Sequence, residues 1–263
     1  MNSLLLFLES FFTKTYFYKI NKFLYFLSVK GMGIDNKFSL VHKGDRKLMT
    51  MLLKKTGKQV VIDVGANVGN YAEEVLNYNS DVDLYAFEPH PKTFLTLEEK
   101  AKKLGFKTIN KGCANTIGKL NFYDYANNDG SEHATLLEGV FTDLYNNKTI
   151  VHEVEVTTLD SFIDENKIEH IDLLKIDTEG FEYSVMSGCL ESIKNNKIKA
   201  IHFEFNSMNI ISKVFMKDFI KILPQYSFYR VLPNGLLKVE QNSILLTEIF
   251  GFQNIVAINN QTK

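Results

Sequence analysis

Charge imbalance, cysteine and long apolar runs are all scarce in this 263-residue chain. Lys and Arg total 30 against 31 Asp and Glu, leaving a net charge of −1. That balance removes the electrostatic ground for a nucleic-acid partner. Cys113 and Cys189 are the two cysteines; no CxxC pair exists and no histidine spacing completes a zinc set. So little cysteine points to a reducing, cytoplasmic setting. Near the N-terminus the longest clean apolar run is Leu4–Leu8, because Glu9, Lys14, Lys19 and Lys22 interrupt the rest of the segment. A spanning helix needs about 20 predominantly apolar residues, so no transmembrane segment is expected. Nor is a signal peptide, for want of a basic start and a small-residue cleavage site. Neither an internal repeat nor a low-complexity tract is visible.

What is present is ample core material. Hydrophobic residues make up 45% and charged residues 23%, proportions of a globular domain. The first 44 residues read as a helical extension. Leu4, Leu8, Phe11, Tyr16, Ile20, Phe23, Leu24 and Leu27 recur at three- to five-residue steps, near one helical face. Two placements stay open for residues 1–30: packing on the parent domain or a sister subunit of a homo-oligomer, or lying in a membrane interface with lysines on the polar side.

From residue 45 to 263 the chain reads as one catalytic domain in which strands and helices alternate. Expected strands are Gln59–Val64, Asp83–Phe87, Phe106–Gly112, Ile171–Ile176 and Lys199–Phe205. Expected helices include Asp45–Lys55, Asn70–Tyr78, Pro91–Leu104, Leu159–Asn166, Phe181–Asn195 and Lys213–Leu223. Lys119–Tyr125 and His152–Thr157 look like further strands around an irregular polar stretch. Pro233-Asn234-Gly235 between two apolar runs signals a hairpin, and Gln253–Ile258 a last strand. This order means an α/β fold with a mostly parallel sheet and helices on both faces.

Open α/β sheets bind ligands at the carboxyl ends of their strands, so the residues there carry the functional reading. The first strand runs into Asp63 and then Gly65-Ala66-Asn67-Val68-Gly69-Asn70. Glycine lets backbone approach a ligand, and the helix after it offers free N–H groups. A dinucleotide fingerprint needs two further glycines that are missing, and Asp63 suits a cationic sulfonium better than a pyrophosphate. The second strand ends at Glu88-Pro89, where a carboxylate can take both hydroxyls of a ribose. Past the third strand, Cys113-Ala114-Asn115 leaves room for an adenine, with Asn115 at its edge. The fourth strand ends in Asp177, Glu179 and Glu182; Asp177 is expected near the reactive end of a cofactor and Glu182 at the next helix N-terminus. On the fifth strand Phe203 and Phe205 share one face, His202 and Glu204 the other.

Four motifs in order, D-V-G-A-N-V-G (63–69), F-E-P (87–89), T-L-D (158–160) and L-K-I-D-T-E-G-F-E (174–182), resemble the FkbM family of methyltransferases. The resemblance spans about residues 45–206. It implies a Rossmann-like class I methyltransferase with a seven-stranded sheet, S-adenosyl-L-methionine as donor, and O-methylation of a sugar in a surface glycan or of a natural product. By the same carry-over Asp63, Gly65 and Gly69 line the methionine end, Glu88 holds the ribose and Asp177 lies near the methyl, with Ala66, Asn67, Pro89, Ala114 and Asn115 as further cofactor-binding candidates. Asn115 stands where the family often has an acidic residue. Candidates for a general base are Asp177, Glu204 and His133, the last in a polar stretch that reads as a lid. Magnesium on Asp177 and Glu204 stays an open option that two carboxylates do not demand. Two other readings remain: a nucleotide-dependent sugar oxidoreductase or epimerase, opposed by the missing glycines, and a non-catalytic binding protein, opposed by the strand-end carboxylates.

Overall fold

The computed structural model describes residues 3–35, 41–127, 129–131, 133–144 and 147–262. Its strands are β1 (Gln59–Val64), β2 (Val82–Phe87), β3 (Lys107–Ile109), β4 (Gly112–Cys113), β5 (Gly118–Tyr125), β6 (Thr149–Thr157), β7 (Leu173–Ile176), β8 (Ala200–Phe205), β9 (Tyr226–Leu232), β10 (Gly235–Lys238) and β11 (Gln253–Asn259). Helices are α1 (Ser3–Phe12), α2 (Tyr18–Gly31), α3 (Val41–Leu52), α4 (Asn70–Tyr78), α5 (Pro91–Leu104), α6 (Leu159–Glu165), α7 (Glu182–Ser187), α8 (Leu190–Lys194), α9 (Met208–Ser212), α10 (Met216–Ile222) and α11 (Ile244–Thr247).

The main sheet has the order β10-β9-β11-β8-β7-β1-β2-β3. β3, β2, β1, β7 and β8 run parallel, while β11, β9 and β10 are antiparallel additions. The expected seven strands are present, and the hairpin's second arm, β10, adds an eighth at the edge. Strand order reverses beside β1, whose neighbours are β2 and β7. Such a switch point opens a crevice above the strand ends.

Side-chain alternation divides the core in two. Ile62, Leu174, Ile176, Ile201, Phe203 and Phe205 join one apolar cluster, and Val61, Leu84, Leu173, Ala200 and Val256 join another. Both faces are covered, as an almost fully buried β1 requires. Helix ends obey local chemistry. α5 opens with Pro91 at its first position and the His90 ring accepting from Thr93 N–H, and closes at left-handed Gly105. Thr158 caps α6 by accepting from Ser161 N–H.

Three expectations shift. The strand foreseen over 106–112 breaks into β3 and β4, because the chain leaves the main sheet there for a separate sheet of order β4-β6-β5. The helix foreseen over 181–195 splits into α7 and α8 at Gly188, where a Cβ would lie 2.0 Å from the Ala114 carbonyl oxygen. At the N-terminus two helices replace the one expected, separated by a short turn at Thr15–Phe17, and from residue 6 to residue 28 no described side chain is buried.

Candidate active site

Polar residues of the central strands fall on one face by register. Asp63 stands opposite Lys175, Lys175 opposite His202, and Glu204 opposite Asn254. Each lies two residues along its strand from Val61, Leu173, Ala200 or Val256 or from the next polar residue, so they emerge on the same side as these residues near the strand ends. Lys175 Nζ lies 3.3 Å from Asp177 Oδ2 and 5.9 Å from the centre of the Tyr71 ring. His202 Nε2 lies 3.1 Å from Asn254 Oδ1; burial, then the Lys175 charge, pushes the His202 pKa well down. Above this row opens a cavity of about 740 Å³ lined by Asp63, Gly65, Ala66, Asn67, Tyr71, Glu88, Pro89, His133, Lys175, Asp177, Glu179, Glu204 and Asn206, among others. That volume suits a nucleoside-sized ligand together with a small second molecule.

One wall is the turn after β1. Gly65 has φ +82, and a Cβ there would sit 1.8 Å from the Asp177 carbonyl oxygen. Only glycine lets the turn close against the β7 loop. Gly65 and Ala66 N–H both donate to the Phe87 carbonyl, tying the β1 turn to the end of β2. Asn67, at φ 49, donates its N–H to Glu88 Oε2 at 2.9 Å, and His90 N–H donates to Oε1 at 2.8 Å. Each Glu88 oxygen therefore takes one backbone donor and keeps a lone pair for a ligand. Burial pushes the Glu88 pKa up to about 7, against the pull of those N–H groups. Gly69, by contrast, does not line the cavity. It caps α4 in the left-handed conformation, and a Cβ would lie 2.8 Å from Leu97 Cδ1.

Ala114 and Asn115 also fall outside the lining. Once the chain turns into the side sheet, Ala114 N–H bonds the Thr157 carbonyl and Asn115 pairs with the Ser184 hydroxyl. In that region Lys111, Gly112 and Cys113, with Phe122 and Leu136, line the cavity.

The opposite wall is the β7 loop. Glu179 and Gly180 both have positive φ. The carboxylate of Glu182 holds this turn: its Oε1 accepts from Thr178 N–H at 3.1 Å, Gly180 N–H at 3.1 Å and the Thr178 hydroxyl at 3.2 Å. Burial still lifts Glu182 to about 7. The expected helix-terminal role is thus realised as a loop brace. Glu179 reaches His133, with Oε1 3.0 Å from Nδ1. Burial raises the Glu179 pKa, the His133 hydrogen bond lowers it, and Asp177 raises it again. Glu204 is pushed well above the carboxylate range by burial first and the Asp177 charge second, with Lys175 opposing.

The described part of the polar stretch around His133 is wound tightly rather than left as an open flap. Buried Asp124 accepts from Gly130 and Ser131 N–H and from the Ser131 hydroxyl. Thr135 donates to the Thr178 and Glu179 carbonyls. Asp129 Oδ1 lies 3.0 Å from His90 Nε2 and 2.8 Å from His152 Nε2. These three side chains have the composition of a metal set, yet His90 Nδ1 accepts from Thr93 N–H. Its hydrogen therefore sits on Nε2 and points at Asp129, which makes the trio a hydrogen-bonded clasp.

Sequence reasoning passed over Lys175, Tyr71 and this clasp. Lys175 carried a signal: a lysine inside Leu-Leu-Lys-Ile of a strand buried on both faces has nowhere to go but a polar cleft. The clasp carried none, since its members come from three separate segments.

A parallel sheet reversing at β1, with a glycine turn and a buried carboxylate at the ends of β1 and β2, defines a class I methyltransferase fold. The FkbM methyltransferase domain model matches residues 63–228. The chain belongs to the FkbM methyltransferase family and is a methyltransferase, for which S-adenosylmethionine is the donor that membership implies. The cleft fits that donor, given the Gly65 turn that no side chain could enter and the spare lone pairs of Glu88. Among relatives, the 2-O-methyltransferase NoeI of Sinorhizobium fredii is 24% identical over 204 residues, 74% of this chain and 82% of that protein. The hexuronic acid methyltransferase AglP of Haloferax volcanii is 23% identical over 186 residues, 70% of this chain and 69% of its own length. The crystal structure of methyltransferase FkbM from Methylobacillus flagellatus superposes with a TM-score of 0.53 at 13% identity, covering 82% of this chain and 47% of that one; it shares the fold.

Proposed function

We propose that the protein transfers a methyl group from S-adenosylmethionine to a hydroxyl of a sugar, free or within a glycan, on the cytoplasmic side of the cell. The names of the two relatives support the sugar, and the His133–Glu179 pair facing the same cavity as Glu88 and Asp177 is the observation that carries the chemistry. When bound, the donor supplies an electrophilic methyl on a sulfonium. Glu88 accepts the ribose hydroxyls while Asn67 and His90 N–H hold its carboxylate in place. Asp63 and the Gly65 turn would face the amino-acid end, and Asp177 would lie near the methyl. Lys111, Gly112 and Cys113 offer the adenine wall.

The acceptor hydroxyl has to sit about 3–3.5 Å from the methyl carbon and in line with the breaking C–S bond. Lys175, Glu204, Asn206 and Asn254 line that side of the cavity and supply donors and acceptors for a sugar's other hydroxyls. In the step itself the O–C bond forms, the C–S bond breaks and the hydroxyl proton leaves. His133 Nε2 takes that proton, since Glu179 holds Nδ1; a base so oriented contributes about 10²–10⁴-fold. Glu179 acts through His133 and is a positioning residue. Asp177 and Glu204 shape the charge of the cavity.

The test is transfer of labelled methyl to a panel of hexoses, hexuronic acids and N-acetylated sugars, with wild type, His133→Asn and Glu179→Gln. Labelled product with wild type is expected. His133→Asn should lose about 10²–10⁴-fold in kcat with donor affinity intact, and Glu179→Gln should lose less. No labelled sugar from the panel, or full activity of His133→Asn, would overturn the acceptor or the base respectively.

A further inference from the structure

The N-terminal arm, α1 and α2 with the turn between them, is the least buried apolar segment among the described residues. Between residues 6 and 27 thirteen large apolar side chains are exposed by 36–66%. Phe7, Tyr16, Tyr18, Phe23, Tyr25 and Leu27 are each more than half exposed. Successive helical residues step about 100° around the axis, so the five consecutive exposed residues Phe23–Leu27 surround α2 on every side. A helix apolar all round belongs inside a protein core or in lipid, and from residue 6 to residue 28 the described residues of the body bury none of the arm's side chains. Neither helix is long and apolar enough to cross a bilayer.

Charge decides what covers the arm. Its lysines are Lys14, Lys19, Lys22 and Lys30, against the single acid Glu9. Two such arms packed together would bring like charges into contact, and one helix–helix seam would leave most of the Phe23–Leu27 belt wet. Anionic lipid headgroups complement the lysines, while the acyl boundary takes the Phe and Leu side chains and the three tyrosines suit the headgroup level.

The arm is rooted at the cavity rim. Val29 and Ile34 are buried, Asp35 N–H bonds the Phe252 carbonyl at 2.7 Å, and a Cβ on Gly251 would meet Ile34. Asp35, Phe250, Gly251 and Phe252 line the cavity. Near the same root, Gly33 abuts Arg230, whose guanidinium bonds the Leu246 carbonyl. That carbonyl belongs to α11, which presents Ile244 and Leu245 at 70% and 88% exposure.

We infer that residues 3–31 lie in the interface of an anionic membrane and hold the cavity mouth at its surface. Resting on the proposed sugar methylation, this assigns the acceptor to the class of saccharides carried on a lipid. Docking itself is independent of that reading and is read without turnover. The experiment is flotation of the full chain with phosphatidylcholine vesicles, with and without about one-third phosphatidylglycerol, beside light scattering of the lipid-free protein and calorimetric donor binding. Wild type should float with the anionic vesicles. Binding should fall at least about tenfold on pure phosphatidylcholine, in the triple variant Lys14→Glu, Lys19→Glu, Lys22→Glu, and in Phe23→Ser with Leu24→Ser. Donor affinity should stay unchanged throughout, since the substituted side chains lie outside the body. No flotation of wild type, flotation indifferent to charge reversal, or an arm-dependent dimer that ignores vesicles would overturn the inference, the last assigning the arm to a second copy.

Discussion

Two groups of buried or half-buried carboxylates, one behind the cleft and one lining it, differ in how their oxygens are satisfied. On the loop side Glu182 and Asp124 are saturated, each taking at least two backbone N–H groups and a hydroxyl. On the strand side Glu204 stands beside Asp177, raised far above the ordinary carboxylate range by burial and like charge. Saturated carboxylates build the walls. The electrostatically frustrated one lines the cavity itself.

Breaking a wall should cost most. Glu182→Ala strands two backbone N–H groups of the β7 turn, and chemical denaturation should show a loss of about 2–4 kcal/mol, with activity lost as the turn opens. Changing the proposed base should cost activity and leave stability intact. His133 is more than half exposed, so His133→Asn should keep Tm within a degree or two while kcat falls by about 10²–10⁴-fold.

Like Glu182, Glu88 is braced by two N–H donors yet raised to about 7, but Glu88 also lines the cavity. Its folded pKa lies above its ordinary 4.5, so the ligand-free fold binds the proton that the unfolded chain has released. Stability should therefore fall as pH rises from about 4.5 to about 7, a slope that Glu182 shares. Titrations of Glu88→Gln and wild type against pH should differ by the Glu88 contribution to that slope. Donor affinity should run the other way, rising as Glu88 ionises, by up to about tenfold per pH unit below 7. The smallest effect is the most telling. Glu204→Gln should stabilise the ligand-free protein at pH 8, by up to about 1 kcal/mol, while lowering turnover. A destabilised Glu204→Gln would place that carboxylate with the structural group.

Much of the frame was legible in the sequence. The β1, β2, β7 and β8 runs are short, apolar and each succeeded by a polar turn, and Pro233-Asn234-Gly235 announced the β9–β10 hairpin. Asp63, Gly65, Glu88, Asp177 and Glu204 reach the same cavity because strand ends of a parallel sheet converge by construction, and His133 joins them from the stretch between β5 and β6. What escaped depended on long-range packing. Gly188 ends α7 against Ala114, a contact between residues far apart in the chain. Ala114 and Asn115 leave the cleft because β4 pairs with β6 rather than extending β3. The arm's apolar spacing read as one amphipathic helix; its exposure on all sides is a property of where the body stops.

The most direct measurement is calorimetric titration of S-adenosylmethionine and S-adenosylhomocysteine into wild type and Glu88→Ala at pH 8, with NAD as the rival ligand. Micromolar binding of both sulfur ligands, weakened at least about tenfold in Glu88→Ala, is the predicted result, with no heat from NAD. Equal binding by the variant, or preference for NAD, would contradict the assignment of the cleft.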